Sequence, residues 1–182
     1  MDPILPPPEE RFHQNVIGLS QLVYDLVSNA NSNGYKTIHP STVEFASLLL
    51  MGYDKKSLIE TFIKHSHKHW DQIKRRDENF FDKNCHDIFK GLPMNNVNAF
   101  RELFMLKDSN GNHVIKADDR DAIWDFFESL IKIGINYIHQ NRKPAVKTDN
   151  DGKKQPIYTQ GFFNDVNLEH HASVWGVKRK FS

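Results

Sequence analysis

The chain is predicted to fold as an all-α bundle of about five or six helices, with extended arms at its N- and C-terminal ends. Three observations carry this reading. Apolar side chains recur every three or four residues through most of residues 9–142, the spacing that gathers them on one helix face. Capping residues, glycines and prolines interrupt that pattern where helices would start and stop. The periodicity is lost at both ends, over residues 1–8 and 143–182.

The first eight residues form the N-terminal arm. Pro6, Pro7 and Pro8 favour an extended polyproline conformation. A helix follows in which Phe12, Val16, Leu19, Val23, Leu26 and Ala30 share a face, and Gly34 suits the left-handed position that ends it. "HPSTVE" opens the second helix, with Ser41 and Glu44 at capping-box spacing. "FASLLLM" follows, and Gly52 stops it. Asp54 can cap a third helix carrying the stripe Ile59, Ile63, Ser66, Trp70 and Ile73. A fourth, closed by Gly91 and Pro93, places Phe81, Cys85 and Ile88 together. Val97, Phe100 and Phe104 mark a fifth.

The most strongly patterned segment is "DDRDAIWDFFESLIKIGINYIHQNR". Asp121, Asp125, Glu128, Lys132, Asn136 and Gln140 form one narrow polar stripe, and the rest is almost entirely apolar. A helix apolar over most of its circumference belongs in the middle of a bundle. Gly134 lies in the apolar arc, where it costs about 1 kcal/mol relative to alanine, so close approach of another helix is expected there.

Composition narrows the function classes. The 182 residues include 24 basic and 23 acidic side chains, a net charge of +1, which argues against a general polyanion binder. The charge is unevenly placed: residues 9–141 hold 16 basic and 18 acidic residues, and residues 142–182 hold 8 and 4. Thirteen phenylalanines point to an aromatic-rich core. The single Cys85 cannot form an internal disulfide. "MDPILPPPEE" has no basic segment leading into an apolar run, so the protein is not expected to be secreted. No apolar run approaches the roughly 20 residues that span a bilayer.

Four stretches carry candidate chemistry. "KDSNGNHVIKADD" resembles a calcium-binding loop. Counted from Asp108, oxygen ligands fall at the third and fifth positions, Asn110 and Asn112, and Ile115 takes the eighth. His113 stands where the loop needs glycine, and Asp119 where it needs the longer glutamate. The stretch therefore reads as a turn centred on Asn110 and Gly111, with Asp118 or Asp119 capping the next helix. His65 and His69 are four apart, a spacing able to chelate a transition metal, and they frame a metal-dependent enzyme as one alternative. Further ligands would have to come from Cys85 and His86, or from His170 and His171 far along the chain. Cys85 sits on the apolar side of its helix, which suits a buried, inert thiol better than a nucleophile. No nucleophile elbow, phosphate loop or dinucleotide fingerprint is present, so no cofactor is expected. In the tail, Phe162, Phe163, Trp175 and Phe181 are candidate anchors for a protein partner. Lys178, Arg179 and Lys180 beside them offer a nucleic-acid-associated role as another alternative.

The strings "RDENFF", "NAFRELFMLKD" and "DDRDAIWDFFESLIKIGINYIHQNR" resemble a family of small helical proteins encoded by large eukaryotic DNA viruses of the chlorovirus and iridovirus kind. The likeness spans roughly residues 55–142 and omits the arms. It implies a viral protein located in the virion or the host-cell cytoplasm, such as a minor capsid component, and transfers no catalytic residue. Together these readings predict a non-enzymatic structural or assembly protein, tied by its arms to capsid or other virion subunits.

Overall fold

The computed structural model describes residues 4–141, 145–157 and 161–178. Over these residues the protein is predominantly helical. Six helices of eleven residues or more build the bundle: α1 (Pro8–Ser32), α2 (Pro40–Met51), α3 (Lys55–Ser66), α5 (Glu78–Ile88), α6 (Met94–Met105) and α7 (Ala117–Asn141). Two short helices, α4 (Trp70–Lys74) and α8 (Leu168–Val174), and one antiparallel hairpin, β1 (Ala145–Thr148) with β2 (Lys154–Ile157), complete it.

The two 25-residue helices α1 and α7 pack along each other, and α1 also meets α2, α3 and α6. The core is aromatic, as the phenylalanine content suggests. Phe81 of α5 stands with its ring 5.0–6.0 Å from those of Phe89, Phe100, Phe104, Trp124 and Phe127, which joins α5, α6 and α7. The narrow polar stripe of α7 is where the sequence places it: Asp121, Asp125 and Gln140 are exposed, while Ile123, Ile131, Ile135 and Ile138 are fully buried. Gly134 has the expected close neighbour. A Cβ there would lie 3.3 Å from Ile63 and 3.7 Å from Trp70, so α3 and α4 approach α7 at its smallest residue.

Several helix ends differ from expectation, each for a local reason. Pro8 is the first residue of α1, not part of the arm, because proline suits the first helical turn, where its missing N–H has no partner to lose. Pro40 does the same for α2. The cap is therefore His39, whose Nδ1 accepts from the Ser41 amide at 3.3 Å, and Ser41 lies inside the first turn. Asp54 caps α3 as predicted, accepting from the Ser57 amide at 2.8 Å. The long third helix is interrupted by a 3-10 turn at His67–His69, yet its stripe survives: Ile59, Ile63, Ser66 and Trp70 are all fully buried. The Trp70 indole N–H donates to the Ser66 hydroxyl at 2.8 Å across the break. Helix α7 begins at Ala117, so Asp118 and Asp119 lie in its first turn, where they complement the helix dipole. Gly34 ends α1 with φ 85°, and the Tyr35 amide reaches back to the Ala30 carbonyl at 3.0 Å.

The largest departure is the C-terminal segment. It holds the hairpin, a 3-10 turn at Gly161–Asp165, and α8, which packs on α4 and α7. Phe163, Val166, Leu168 and Trp175 are buried. These side chains escape a periodicity search because they are spread over a 3-10 turn, a seven-residue helix and the residues flanking them, none long enough to repeat.

Candidate interaction surface

Helix α2 has the sequence PSTVEFASLLLM, with one charged residue, Glu44. A twelve-residue helix lying on a bundle can bury about one face, and α2 has more apolar side chains than that face holds. Val43, Ala46 and Leu50 turn inward and are buried. Phe45, Leu48, Leu49 and Met51 turn outward, between 47% and 62% exposed. The spacing of Phe45, Leu48 and Leu49 at i, i+3 and i+4 puts those three on a common outer face. Met94, at the start of α6, is also exposed, and α6 is a helix on which α2 packs.

The inner side of α2 is held by directional bonds as well as packing. The Ser47 and Ser20 hydroxyls bond to each other, and Asn96 Nδ2 donates to Ser20 Oγ at 2.8 Å, linking α1, α2 and α6. The buried His13 of α1 hydrogen-bonds the Leu50 carbonyl at 2.8 Å. The outer apolar face is thus presented on a fixed helix. Ahead of α1, Ile4 and Leu5 are exposed at 99% and 61% and add apolar surface to the N-terminal arm. "FASLLLM" carried the signal for this surface, an apolar density too high for a peripheral helix with one buried face, but a sequence search for periodicity passes over it.

The predicted site residues lie elsewhere. Phe163 is fully buried, its ring 6.0 Å from that of Tyr137. Trp175 is 3% exposed, with the Lys74 ammonium 4.6 Å from its ring centroid. Both belong to this chain's own core, which corrects their expected role as free anchors. Lys178 is exposed. Arg179, Lys180 and Phe181 lie outside the described residues, as does the side chain of Phe162.

His65 and His69 do not converge with a third donor among the described residues. The 3-10 turn redirects His69, whose Nε2 lies 2.9 Å from Asp87 Oδ2, and the Lys68 ammonium approaches the same oxygen at 2.7 Å. These bonds hold the Asp87 carboxyl down at about 2. Cys85 is fully buried, and burial pushes its thiol up from the ordinary range. The Asp108 loop is a turn: Asp108 Oδ1 accepts the amides of Asn110 and Asn112 at 2.8 and 3.0 Å, and Gly111 takes φ 81°. His113 points to Glu78 on α5, 3.4 Å away.

No helix among the described residues is long and apolar enough to cross a membrane. Comparison with protein-family models, curated proteins and solved structures finds no match to the chain.

Proposed function

We propose that this protein is a non-enzymatic assembly subunit whose docking face is the outer side of α2. The observation that carries the reading is the exposure of Phe45, Leu48, Leu49 and Met51 on one nearly uncharged helix. Large exposed apolar groups concentrated on one element mark interaction surfaces more often than chance. Each such side chain contributes on the order of 1.5–3 kcal/mol when withdrawn from water.

The occupant favoured by the chemistry is a second copy of the chain. Residues 40–52 contain a single charge, Glu44, so two such faces meet with little like-charge opposition. Two-fold pairing is also the commonest symmetry of soluble oligomers. Ile4 and Leu5, exposed on the N-terminal arm, offer further apolar surface to a partner.

Sedimentation and light scattering across a wide concentration range test this. The intact chain is expected to form a dimer, and Phe45→Asp with Leu49→Asp is expected to leave a monomer with an unchanged helical melt. A wild-type chain that stays monomeric at every concentration overturns the reading. So does flotation with liposomes that the same substitutions abolish, which would assign the face to a lipid surface.

The finer reading, a minor capsid or virion component, draws its support from the resemblance of residues 55–142 to the viral helical family. Co-purification with intact particles, as against infected-cell extract alone, tests it.

A further inference from the structure

The fold brings together three metal-ligating side chains that the sequence keeps about a hundred residues apart. Asp71 lies in the first turn of α4, and His170 and His171 lie in α8. Neighbouring residues on a helix point about 100° apart, so two adjacent histidines face one site only if it sits at the edge between their directions. Asp71 occupies that edge. His170 Nε2 is 2.8 Å from Asp71 Oδ2 and 3.1 Å from Oδ1, and His171 Nδ1 is 3.7 Å from Oδ1. One donor atom from each of the three residues lies within 4.8 Å of the others. A tetrahedral ion with bonds of about 2.0 Å has ligand–ligand edges of about 3.3 Å, so the observed separations fall on either side of those a bound ion would impose.

A second observation is independent of the clustering. His171 is 7% exposed, and its Nδ1 is buried with no hydrogen-bond partner. A buried polar atom without a partner destabilises the fold unless a ligand satisfies it. Here it is aimed at a carboxylate whose nearest oxygen is too far away to bond it directly. The ring is fixed edge-on against Trp70, with centroids 4.9 Å apart, so it cannot turn away without disturbing the core.

We infer that Asp71, His170 and His171 form a binding site for a divalent transition metal, of which zinc is the best fit, and that the ion clamps α8 to α4. Two imidazoles and one carboxylate are a borderline donor set that suits zinc and its first-row neighbours, whereas calcium and magnesium prefer oxygen alone. The ion replaces the direct His170–Asp71 bond and satisfies the orphaned Nδ1 of His171. Its fourth position is left for water. The ion would thus lock the C-terminal segment, including buried Phe163 and Trp175, onto the helical bundle.

Calorimetric titration of the untagged full-length chain with zinc chloride tests this, with cobalt as a spectroscopic probe of tetrahedral coordination. We expect one ion per chain. At free zinc about a hundredfold above the dissociation constant, Tm should rise by roughly 5–10 °C. Asp71 and His170 are each nearly half-exposed, so Asp71→Asn and His170→Gln should leave the fold intact while weakening binding by at least about tenfold. His65→Gln with His69→Gln should bind as the wild type does. The inference is overturned by absence of binding at about 100 μM zinc, a concentration well above that needed for any specific site. It is equally overturned if Asp71→Asn and His170→Gln bind as the wild type does, which would place the ion on other histidines.

Discussion

Cys85 shows how single residues take their chemistry from their surroundings. A thiol reacts as thiolate, and burial raises the energy of the charged form. Cys85 is fully buried on α5, with Phe81 and Ile88 on the same face. Native protein is therefore expected to label slowly with a thiol reagent such as dithionitrobenzoate and to label rapidly once denatured; fast labelling of the native chain would contradict this packing. Gly134 makes the same point through space. Its missing side chain is what lets Ile63 and Trp70 reach α7, so the cost in helix propensity is offset by closer packing.

Between elements, polar contacts set the local geometry. The 3-10 turn at His67–His69 carries Lys68 and His69 to Asp87 of α5 and so ties two helices together. The folded carboxyl titrates at about 2, below the ordinary value of 3.8. Because the folded value is the lower one, the pair contributes its full stability above about pH 4 and loses it as pH falls towards 2. Asp87 is partly exposed, so the contribution is discounted to about 0.5–1 kcal/mol. Asp87→Asn should lower Tm by roughly 1–4 °C between pH 5 and 7, and the gap from wild type should close as pH approaches 2. A gap of constant size across that range would show that the carboxylate charge is not its source.

Across the whole molecule, the C-terminal segment decides how much of the chain is one cooperative unit. An arm without periodicity is expected to be dispensable for the core, yet Phe163, Val166, Leu168 and Trp175 are buried on α4 and α7. Truncating a buried tryptophan costs about 3–5 kcal/mol. Trp175→Ala should therefore lower Tm by roughly 6–15 °C, as followed by circular dichroism; a shift below about 1 °C would mean that the segment docks too weakly to count as core.

The sequence by itself determined the helical class and most of the helices. It did so because burial on a helix leaves a local mark, a three-to-four-residue spacing that repeats over several turns. The stripe of α7, the Asp54 cap, the Gly34 stop and the glycine in the apolar arc at Gly134 are all read from neighbours in the chain, whereas the meeting of rings around Phe81 from α5, α6 and α7 is not. Short elements do not repeat, so the docking of Phe163 and Trp175 became visible only in three dimensions. The outer face of α2 was hidden for another reason: apolar residues look alike in sequence whether they face the core or water, and only the placement of α1 and α6 decides which are covered. The meeting of Asp71 with His170 and His171 depends on where α8 lands against α4. Contacts that close a loop of about a hundred residues leave no trace in local spacing, because packing at the two ends, not the intervening chain, determines whether they form.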